Sequence, residues 1–345
     1  MKLLRFLLFP FAVLYDAITR IRNWFFNLGV LKSTSFDIPV IAVGNLSVGG
    51  TGKSPQIEYL IRLLKDNYRI AVLSRGYKRK TERFQVVNGT HTAEDVGDEP
   101  LQFYKKFKKG VTVAVDADRT NGIQQLLQRS TPPEVVLLDD AYQHRKVTAS
   151  CYILLTKYND LFVDDFVLPT GNLRESRRGA KRATMIVVTK CPENLSKTEQ
   201  EKIVRKLNPK SYQKVFFTTI AYDENLKGTK ELTIDDLQDK EVLLVTGIAN
   251  PTPLLNFLKE KEVSFKHLKF PDHHNFTQQD ISTIKKAFDE LPPEQKIILT
   301  TEKDYMRLEG KVDNLNYISI KSDFINEEEV FNSLVLDEIK RVKTK

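Results

Sequence analysis

The sequence predicts an α/β protein with a doubly wound, mostly parallel sheet, a second, smaller α/β domain and an N-terminal amphipathic helix. Short runs of valine, isoleucine and leucine show little alternation with polar residues, which is typical of parallel strands covered on both faces. Stretches with helical spacing separate these runs, as in a βαβ series. A length of 345 residues suffices for two compact domains.

Residues 1–34 are predicted to form the amphipathic helix. The apolar run 6–15 is too short to cross a bilayer, and no small-residue cleavage site follows it, so neither a membrane span nor a signal peptide is expected. Basic residues outnumber acids on this segment, which suits the surface of an anionic membrane. Docking on the protein's own core is the alternative, and the apolar stretch 6–9 favours the membrane. The residues at steps of three and four are Phe11, Leu14, Ile18, Ile21, Phe25 and Leu28.

The main α/β domain is predicted over residues 35–220. A polar stretch at 221–240 is interpreted as a linker, and a second alternating series over 241–345 as the smaller domain. A final helix is expected near 326–341. The strand-like runs of the first series lie at 39–45, 69–74, 111–115, 134–139, 151–155 and 184–189.

Composition limits the classes of partner and site. The formal net charge of +8 favours an anionic partner such as a phosphorylated substrate, a membrane surface or a nucleic acid. The two cysteines, Cys151 and Cys191, are too few for a disulfide framework or a cysteine-based zinc site. They indicate a reducing compartment.

A glycine-rich loop, GNLSVGGTGKSP, follows the first strand of the main domain and precedes a helix. Its backbone amides and the helix N-terminus would surround a phosphate group. Lys53 would reach the β- and γ-phosphates, and Ser54 would ligate Mg²⁺. Ser47 stands where the standard phosphate-loop pattern has glycine, so the loop is a variant of a P-loop NTPase motif. The predicted ATP-binding residues are Ser47, Val48, Gly49, Gly50, Thr51, Gly52, Lys53 and Ser54.

An acidic pair, Asp139 and Asp140, ends the apolar run EVVLLD. The carboxyl ends of parallel strands are where open α/β sheets bind ligands, so the pair is a candidate Mg²⁺ site. Helix capping is the alternative explanation. The residues alone leave open which of the two carboxylates contacts the metal.

The chain contains, in this order, the strings GNLSVGGTGKSP, SRGYK, GDEP, DDAYQHR, LPTGNLRE, VVTKCP, GIANP, PDHHNF and TTEKD. In this ordered set the sequence resembles the tetraacyldisaccharide 4′-kinases of lipid A biosynthesis. The resemblance covers residues 38–304 and rests on an ordered set of strings, several of them close to family-specific. Ala141, Asn172 and Ser176 depart from the usual family pattern.

The resemblance implies transfer of the ATP γ-phosphate to the 4′-hydroxyl of a tetraacylated disaccharide 1-phosphate, with Mg²⁺, at the cytoplasmic face of the inner membrane. Asp98 of GDEP would then be the base, and His273 of PDHHNF its partner, with His274 as the other candidate imidazole. Glu99 would be a further metal ligand. Residues implied to order the substrate or the active site are Glu175, Arg174, Arg119 and His144.

Two other functions share parts of this pattern. A membrane-surface ATPase switch would also combine a P-loop with an amphipathic anchor, but such switches place a signature lysine just before the paired glycines, where this chain has Val48. A nucleic-acid ATPase is suggested only by the positive charge. No recognition module supports it, so no nucleic-acid partner is expected.

Overall fold

The computed structural model describes residues 5–77, 79–108, 110–272, 274–292 and 295–344. The chain divides into two compact units. The first is Met1–Ile220 together with Ser322–Lys345, and the second is Ala221–Lys321. No helix within the described ranges combines the length and the apolar character that crossing a membrane requires.

The first unit is built on a nine-stranded sheet with the order β15-β8-β7-β6-β1-β5-β2-β4-β3. Strands β8, β7, β6, β1, β5, β2 and β4 pair in parallel, and β3 is an antiparallel edge strand. The α/β class with a mostly parallel, doubly wound sheet is confirmed. The strands are β1 Val40–Asn45, β2 Ile70–Ser74, β3 Gln85–Val86, β4 Val111–Val115, β5 Val135–Asp139, β6 Cys151–Lys157, β7 Met185–Thr189, β8 Lys214–Tyr222 and β15 Ile320–Phe324.

The central strands are buried along their whole length. Every residue of β1, β2, β5 and β7 is buried, which explains their unbroken apolar composition. β1 lies between β5 and β6, although the chain runs from β1 to β2. This change of direction makes β1 the switch point of the sheet, where ligands of open α/β sheets bind at the carboxyl ends of the strands.

Helices connect the strands of both units. In the helix Lys53–Leu64, one apolar face is buried, since Ile57, Leu60, Ile61 and Leu64 are inaccessible to solvent. The helices are α1 Phe9–Asn27, α2 Lys53–Leu64, α3 Ala93–Val96, α4 Asp98–Phe107, α5 Arg119–Leu127, α6 Lys197–Leu207, α7 Thr252–Glu260, α8 Gln278–Asp289, α9 Glu302–Leu308 and α10 Glu328–Lys343.

Helix α1 docks on the first unit through its polar side chains. The Tyr15 hydroxyl donates to the carbonyl of Arg174 at 2.8 Å, and Asn23 Nδ2 donates to Glu175 Oε2 at 2.8 Å. Ala12 is its buried residue, whereas large apolar side chains of the helix are exposed to solvent. The exposed fractions are 63% for Phe11, 60% for Leu14, 57% for Ile18 and 52% for Ile21.

The second unit contains a six-stranded sheet with the order β10-β9-β14-β13-β11-β12. Strands β12, β11, β13 and β14 are parallel, and β9 pairs antiparallel with β14 and β10. The strands are β9 Asn225–Gly228, β10 Leu232–Thr233, β11 Glu241–Thr246, β12 Phe265–Lys269, β13 Lys296–Thr301 and β14 Leu315–Ile318.

The boundaries of the two units differ from the sequence prediction. Residues 221–240, expected as a linker, supply β9 and β10 and bury Leu226, Ile234 and Leu237. Their strands are too short to show a periodic signal. The last helix, expected in the smaller domain, belongs to the first unit, where the Phe331 ring packs 5.2 Å from that of Phe216.

Candidate active site

The glycine loop leaves the carboxyl end of β1 at the switch point of the sheet. Gly49 and Gly52 have φ values of +101° and +85°, in the left-handed region that favours glycine. Helix α2 begins at Lys53, directly after the loop. Backbone N–H groups at the start of this 12-residue helix therefore adjoin the loop, which is the arrangement that binds phosphate.

Neighbouring segments hold the loop in place. Asn45 Nδ2 donates to Thr51 Oγ1 at 2.8 Å, and Thr189 Oγ1 donates to the Thr51 carbonyl at 2.8 Å. The amide of Val48 donates to the Asn172 carbonyl at 2.8 Å. Buried Ser47 forms a β-bridge with Leu173, so a hydrogen-bonded segment accommodates the residue that replaces the usual glycine. The loop is preorganised by these contacts.

Asp139 lies buried at the end of β5. Its Oδ2 accepts a hydrogen bond from Ser74 Oγ at 3.0 Å, while its Oδ1 has no hydrogen-bond partner among the described residues. Burial, with the negative charges of Glu99 and Asp140 nearby, raises the pKa of Asp139 to about 7. A buried carboxylate with an oxygen left unpaired in acidic surroundings is suited to a cation.

Asp140 has a different environment, although it is the next residue. Its carboxylate accepts two hydrogen bonds from Arg174 Nη1, at 3.0 and 3.1 Å, and its Oδ1 lies 3.7 Å from Lys53 Nζ. Asp140 is therefore already paired with two cations. The structure brings Lys53, Arg174 and the acidic pair together.

Helix α4 brings the GDEP motif to the same place. Asp98 is its first residue, and Glu99 Oε1 accepts a hydrogen bond from Ser54 Oγ at 2.6 Å. The backbone turns sharply at Gly97, which has a φ of +93° and where an added Cβ would lie 3.3 Å from the backbone of Gly76 and Tyr77. Asp98 thus stands next to the residue that contacts the metal-ligand candidate Ser54.

A buried ionic network, which the sequence analysis did not identify, joins α2 to α4. Glu58 Oε2 lies 2.7 Å from Lys106 Nζ and 2.9 Å from Arg62 Nη2, and Gln102 Nε2 donates to Glu58 Oε1 at 2.9 Å. Ser54 and Glu58 share one face of α2, as Asp98, Gln102 and Lys106 share one face of α4. The spacing of these polar residues in the sequence places them on one face of each helix, but it does not show that the two helices face each other.

Two of the residues that the resemblance implies to order the site are Arg119 and His144. Buried Arg119 donates to the carbonyls of Asp116, Ala117 and Asp139, and so holds the backbone where the acidic pair begins. Burial, with the positive charge of Arg119, lowers the pKa of His144 to about 4, so this imidazole is neutral at physiological pH. It cannot serve as a phosphate-binding cation there.

Both carboxylate oxygens of buried Glu175 accept hydrogen bonds. Its Oε1 accepts from Arg182 at 2.6 Å and from Gln143 at 3.2 Å, and its Oε2 accepts from Asn23 at 2.8 Å. It holds the segment after Arg174 and the polar side of α1 together. The implied role in ordering the site therefore fits Glu175.

The PDHHNF motif lies in the second unit, and His273 falls outside the described residues. His274 Nε2 lies 2.9 Å from Asp280 Oδ2, and its ring stacks on Phe270 at 5.1 Å. The motif adjoins GIANP and TTEKD, because an added Cβ at Gly247 would lie 2.9 Å from Asp304 and 3.5 Å from His274. Three of the quoted strings therefore meet at the carboxyl end of β11.

Comparisons with known proteins place the chain among its relatives. The family model for tetraacyldisaccharide-1-P 4′-kinase matches residues 4–340. The tetraacyldisaccharide 4′-kinase of Flavobacterium johnsoniae is 55% identical over 343 residues, covering 99% of this chain and 98% of that protein. That of Bacteroides thetaiotaomicron is 47% identical over 313 residues, covering 87% and 82%.

Among solved structures, LpxK from Aquifex aeolicus in complex with ATP is similar to this chain with a TM-score of 0.79. The two are 33% identical, and the match covers 97% of this chain and 99% of that one.

Proposed function

The chain belongs to the tetraacyldisaccharide-1-phosphate 4′-kinase family, and we propose that it transfers the γ-phosphate of ATP to the 4′-hydroxyl of a tetraacyldisaccharide 1-phosphate. The observation that carries the proposal is the meeting of the glycine loop, Asp139–Asp140 and the start of α4 at one edge of the first sheet. Phosphoryl transfer requires positioning and charge neutralisation rather than covalent help from the protein, and this edge offers groups for both.

The ATP site consists of the loop 47–54 and the start of α2. Backbone amides would bind the phosphates, and Lys53 Nζ would contact the β- and γ-oxygens. Asp140 lies within 3.7 Å of that ammonium and also binds Arg174, so it holds two cations at the position where phosphate charge would arrive.

The acidic residues fit a magnesium ion. Among the described residues no three His, Cys, Asp or Glu side chains form a metal cluster, but Mg²⁺ bound to a nucleotide needs only one or two protein oxygens beside phosphates and water. The unpaired Oδ1 of Asp139 supports Asp139 over Asp140 as the carboxylate ligand, with Ser54 Oγ as the hydroxyl ligand and Glu99 beside it. The ion would neutralise charge on the β- and γ-phosphates.

Asp98 is the proposed base. As the 4′-oxygen bonds to the γ-phosphorus, the bond between the γ-phosphorus and the oxygen that bridges the β- and γ-phosphates breaks, and ADP leaves. The hydroxyl proton passes to the Asp98 carboxylate. The contact between Glu99 and Ser54 supports this role, because it ties the start of α4 to the phosphate loop. The role of His273, which the resemblance implies, stays a prediction, because His273 falls outside the described residues.

Helix α1 is proposed to lie on an anionic membrane. Its polar side chains face the protein and its large apolar side chains are exposed, which is the orientation that a membrane-surface helix needs. Because ATP is the donor, we place the protein at the cytoplasmic face of the inner membrane, as a peripheral or monotopic protein.

The test is a transfer assay with purified protein in detergent, γ-labelled ATP, Mg²⁺ and tetraacyldisaccharide 1-phosphate. Wild type should produce labelled lipid, and Asp98→Ala should lower the rate by about 10²- to 10⁴-fold. Asp66→Ala, which removes an exposed carboxylate on the same unit, is the matched control and should match wild type.

Other outcomes have distinct meanings. Undiminished transfer by Asp98→Ala would keep the kinase and reject Asp98 as the base. Absence of labelled lipid, with ATP hydrolysis stimulated by vesicles alone, would indicate the membrane-surface ATPase switch instead.

A further inference from the structure

Helices α2 and α4 are joined by a row of polar contacts that starts at the candidate site. At its first contact, Glu99 accepts a hydrogen bond from Ser54. One turn further along α2, Glu58 Oε1 accepts from Gln102 at 2.9 Å, and Glu58 Oε2 lies 2.7 Å from Lys106 Nζ. Residues four apart share a helix face, so the contacts follow the same order along both helices. The two helices therefore lie side by side, in parallel.

The ion pair at the centre of this row is buried. The Glu58 side chain is 1% exposed and that of Lys106 is 8% exposed. Taking two charges out of water offsets most of their attraction, and apolar side chains of similar volume are often as stabilising as such a pair. Net stability alone therefore does not account for a charged pair at this position.

A buried ion pair fixes the position of one helix along another, which an apolar contact does less well. One carboxylate oxygen of Glu58 faces Gln102, and the other faces Lys106 and Arg62. These contacts are directional, so a shift of α4 along α2 would break at least one of them and leave a buried polar group unpaired. The row therefore favours one register of α4 on α2.

This register matters because both helices begin at groups with proposed roles in the reaction. Helix α2 starts at Lys53, directly after the glycine loop, and α4 starts at Asp98. The position of α4 along α2 thus sets the distance between the Asp98 carboxylate and the phosphates that the loop would bind. A displacement of about 1 Å at a catalytic group can lower a rate by about 10²-fold.

We propose that Glu58 and Lys106 are positioning residues for phosphoryl transfer, because their ion pair fixes α4 on α2 and so places Asp98 against the acceptor hydroxyl. The proposal rests on the proposed function and adds to it two residues that touch neither substrate. The nucleotide would be bound by the glycine loop and the start of α2, so loss of the pair should lower kcat and spare ATP binding.

The kinetic test uses the transfer assay at a temperature where circular dichroism shows every variant to be folded. Glu58→Ala should lower kcat about tenfold or more, with the KM for ATP within about twofold of wild type. Glu58→Gln should keep more of the wild-type kcat than Glu58→Ala, because its amide can replace the hydrogen bonds of the carboxylate. One of them can run to Gln102 Oε1, which has no hydrogen-bond partner among the described residues.

Two further variants separate positioning from stability. Leu207→Ala, which opens a cavity at the end of α6, should also destabilise the first unit but keep the wild-type kcat. If Glu58→Ala fails to fold, Lys106→Met takes its place, since Glu58 then keeps Arg62 and Gln102 as partners. It should lower kcat at least about threefold. A wild-type kcat in the folded variants of the pair, or an equal loss in Leu207→Ala, would overturn the proposal.

A double-variant comparison tests whether the pair acts through Asp98. Adding Glu58→Ala to Asp98→Ala should lower the residual kcat by less than about twofold, because the group being positioned is already absent. Losses that multiply would overturn the proposal. Transfer by wild type with an unchanged kcat in Glu58→Ala would overturn only the positioning role, whereas absence of transfer by wild type would overturn the proposed function as well.

Discussion

Replacing Glu58 by alanine should destabilise the first unit more than most single changes. The Glu58 side chain is 1% exposed and that of Lys106 is 8% exposed, so the variant leaves a buried ammonium without the carboxylate 2.7 Å away. Breaking one side of a buried ion pair costs about 3–5 kcal/mol of unfolding free energy. For a unit of this size, that corresponds to a fall in Tm of about 6–20 °C.

The assay is urea and thermal unfolding followed by circular dichroism. Glu201→Ala is the matched control, because it removes an exposed carboxylate that pairs with Arg205 on α6 and should cost less than about 0.5 kcal/mol. The double variant Glu58→Leu/Lys106→Met should recover part of the lost stability, since it removes the buried ammonium along with the carboxylate, although Gln102 still loses its acceptor. A loss under about 1 kcal/mol for Glu58→Ala, or no recovery in the double variant, would refute the reasoning.

Three further predictions concern other parts of the chain. Burial raises the pKa of Asp139 from 3.8 to about 7, so between these pH values the folded, metal-free protein holds a proton that the unfolded chain releases. The contribution of Asp139 to the free energy of unfolding should therefore fall as the pH rises from about 4 to about 7. In urea titrations, Asp139→Asn should remove this part of the pH dependence of stability. Burial also raises the pKa of Cys151 and Cys191 to about 12, so a thiol reagent at pH 8 should modify neither until urea unfolds the protein; fast labelling of the native protein would contradict this. Ile18→Asp, on the exposed face of α1, should weaken flotation with anionic vesicles while transfer in detergent persists, and unchanged flotation would argue against the membrane-surface orientation.

The fold of the first unit could be predicted from local patterns. Residues 40–45, 135–139 and 185–189 are buried on both faces, so their unbroken apolar composition indicates parallel strands without knowledge of their neighbours. The second unit was harder, because β9 and β10 are short and their burial depends on single residues such as Leu226. Helix α10 packs in the first unit although it follows the second unit in the chain, and no local sequence pattern predicts such a contact between distant parts of the chain.

The candidate site was predictable where chemistry is local. The glycine loop and the pair Asp139–Asp140 can be identified from the local sequence, whereas the different environments of the two carboxylates cannot. Ser74, at the end of β2, donates to Asp139, and Arg174, from the segment between β6 and β7, binds Asp140, so both partners come from distant parts of the chain. The roles of the site residues remain predictions, which the transfer assay addresses.

The orientation of α1 shows why an amphipathic pattern alone could not separate its two interpretations. A helix with one apolar face normally buries that face in the protein, but the same apolar face could instead insert into a membrane surface. The orientation of α1 depends on the protein surface that it packs against. There Glu175 and the Arg174 carbonyl accept hydrogen bonds from Asn23 and Tyr15. Those two acceptors directly follow Leu173, which bridges to the phosphate loop. The proposed membrane attachment and the proposed phosphate site therefore share one short segment, and a change that loosens it should weaken both together.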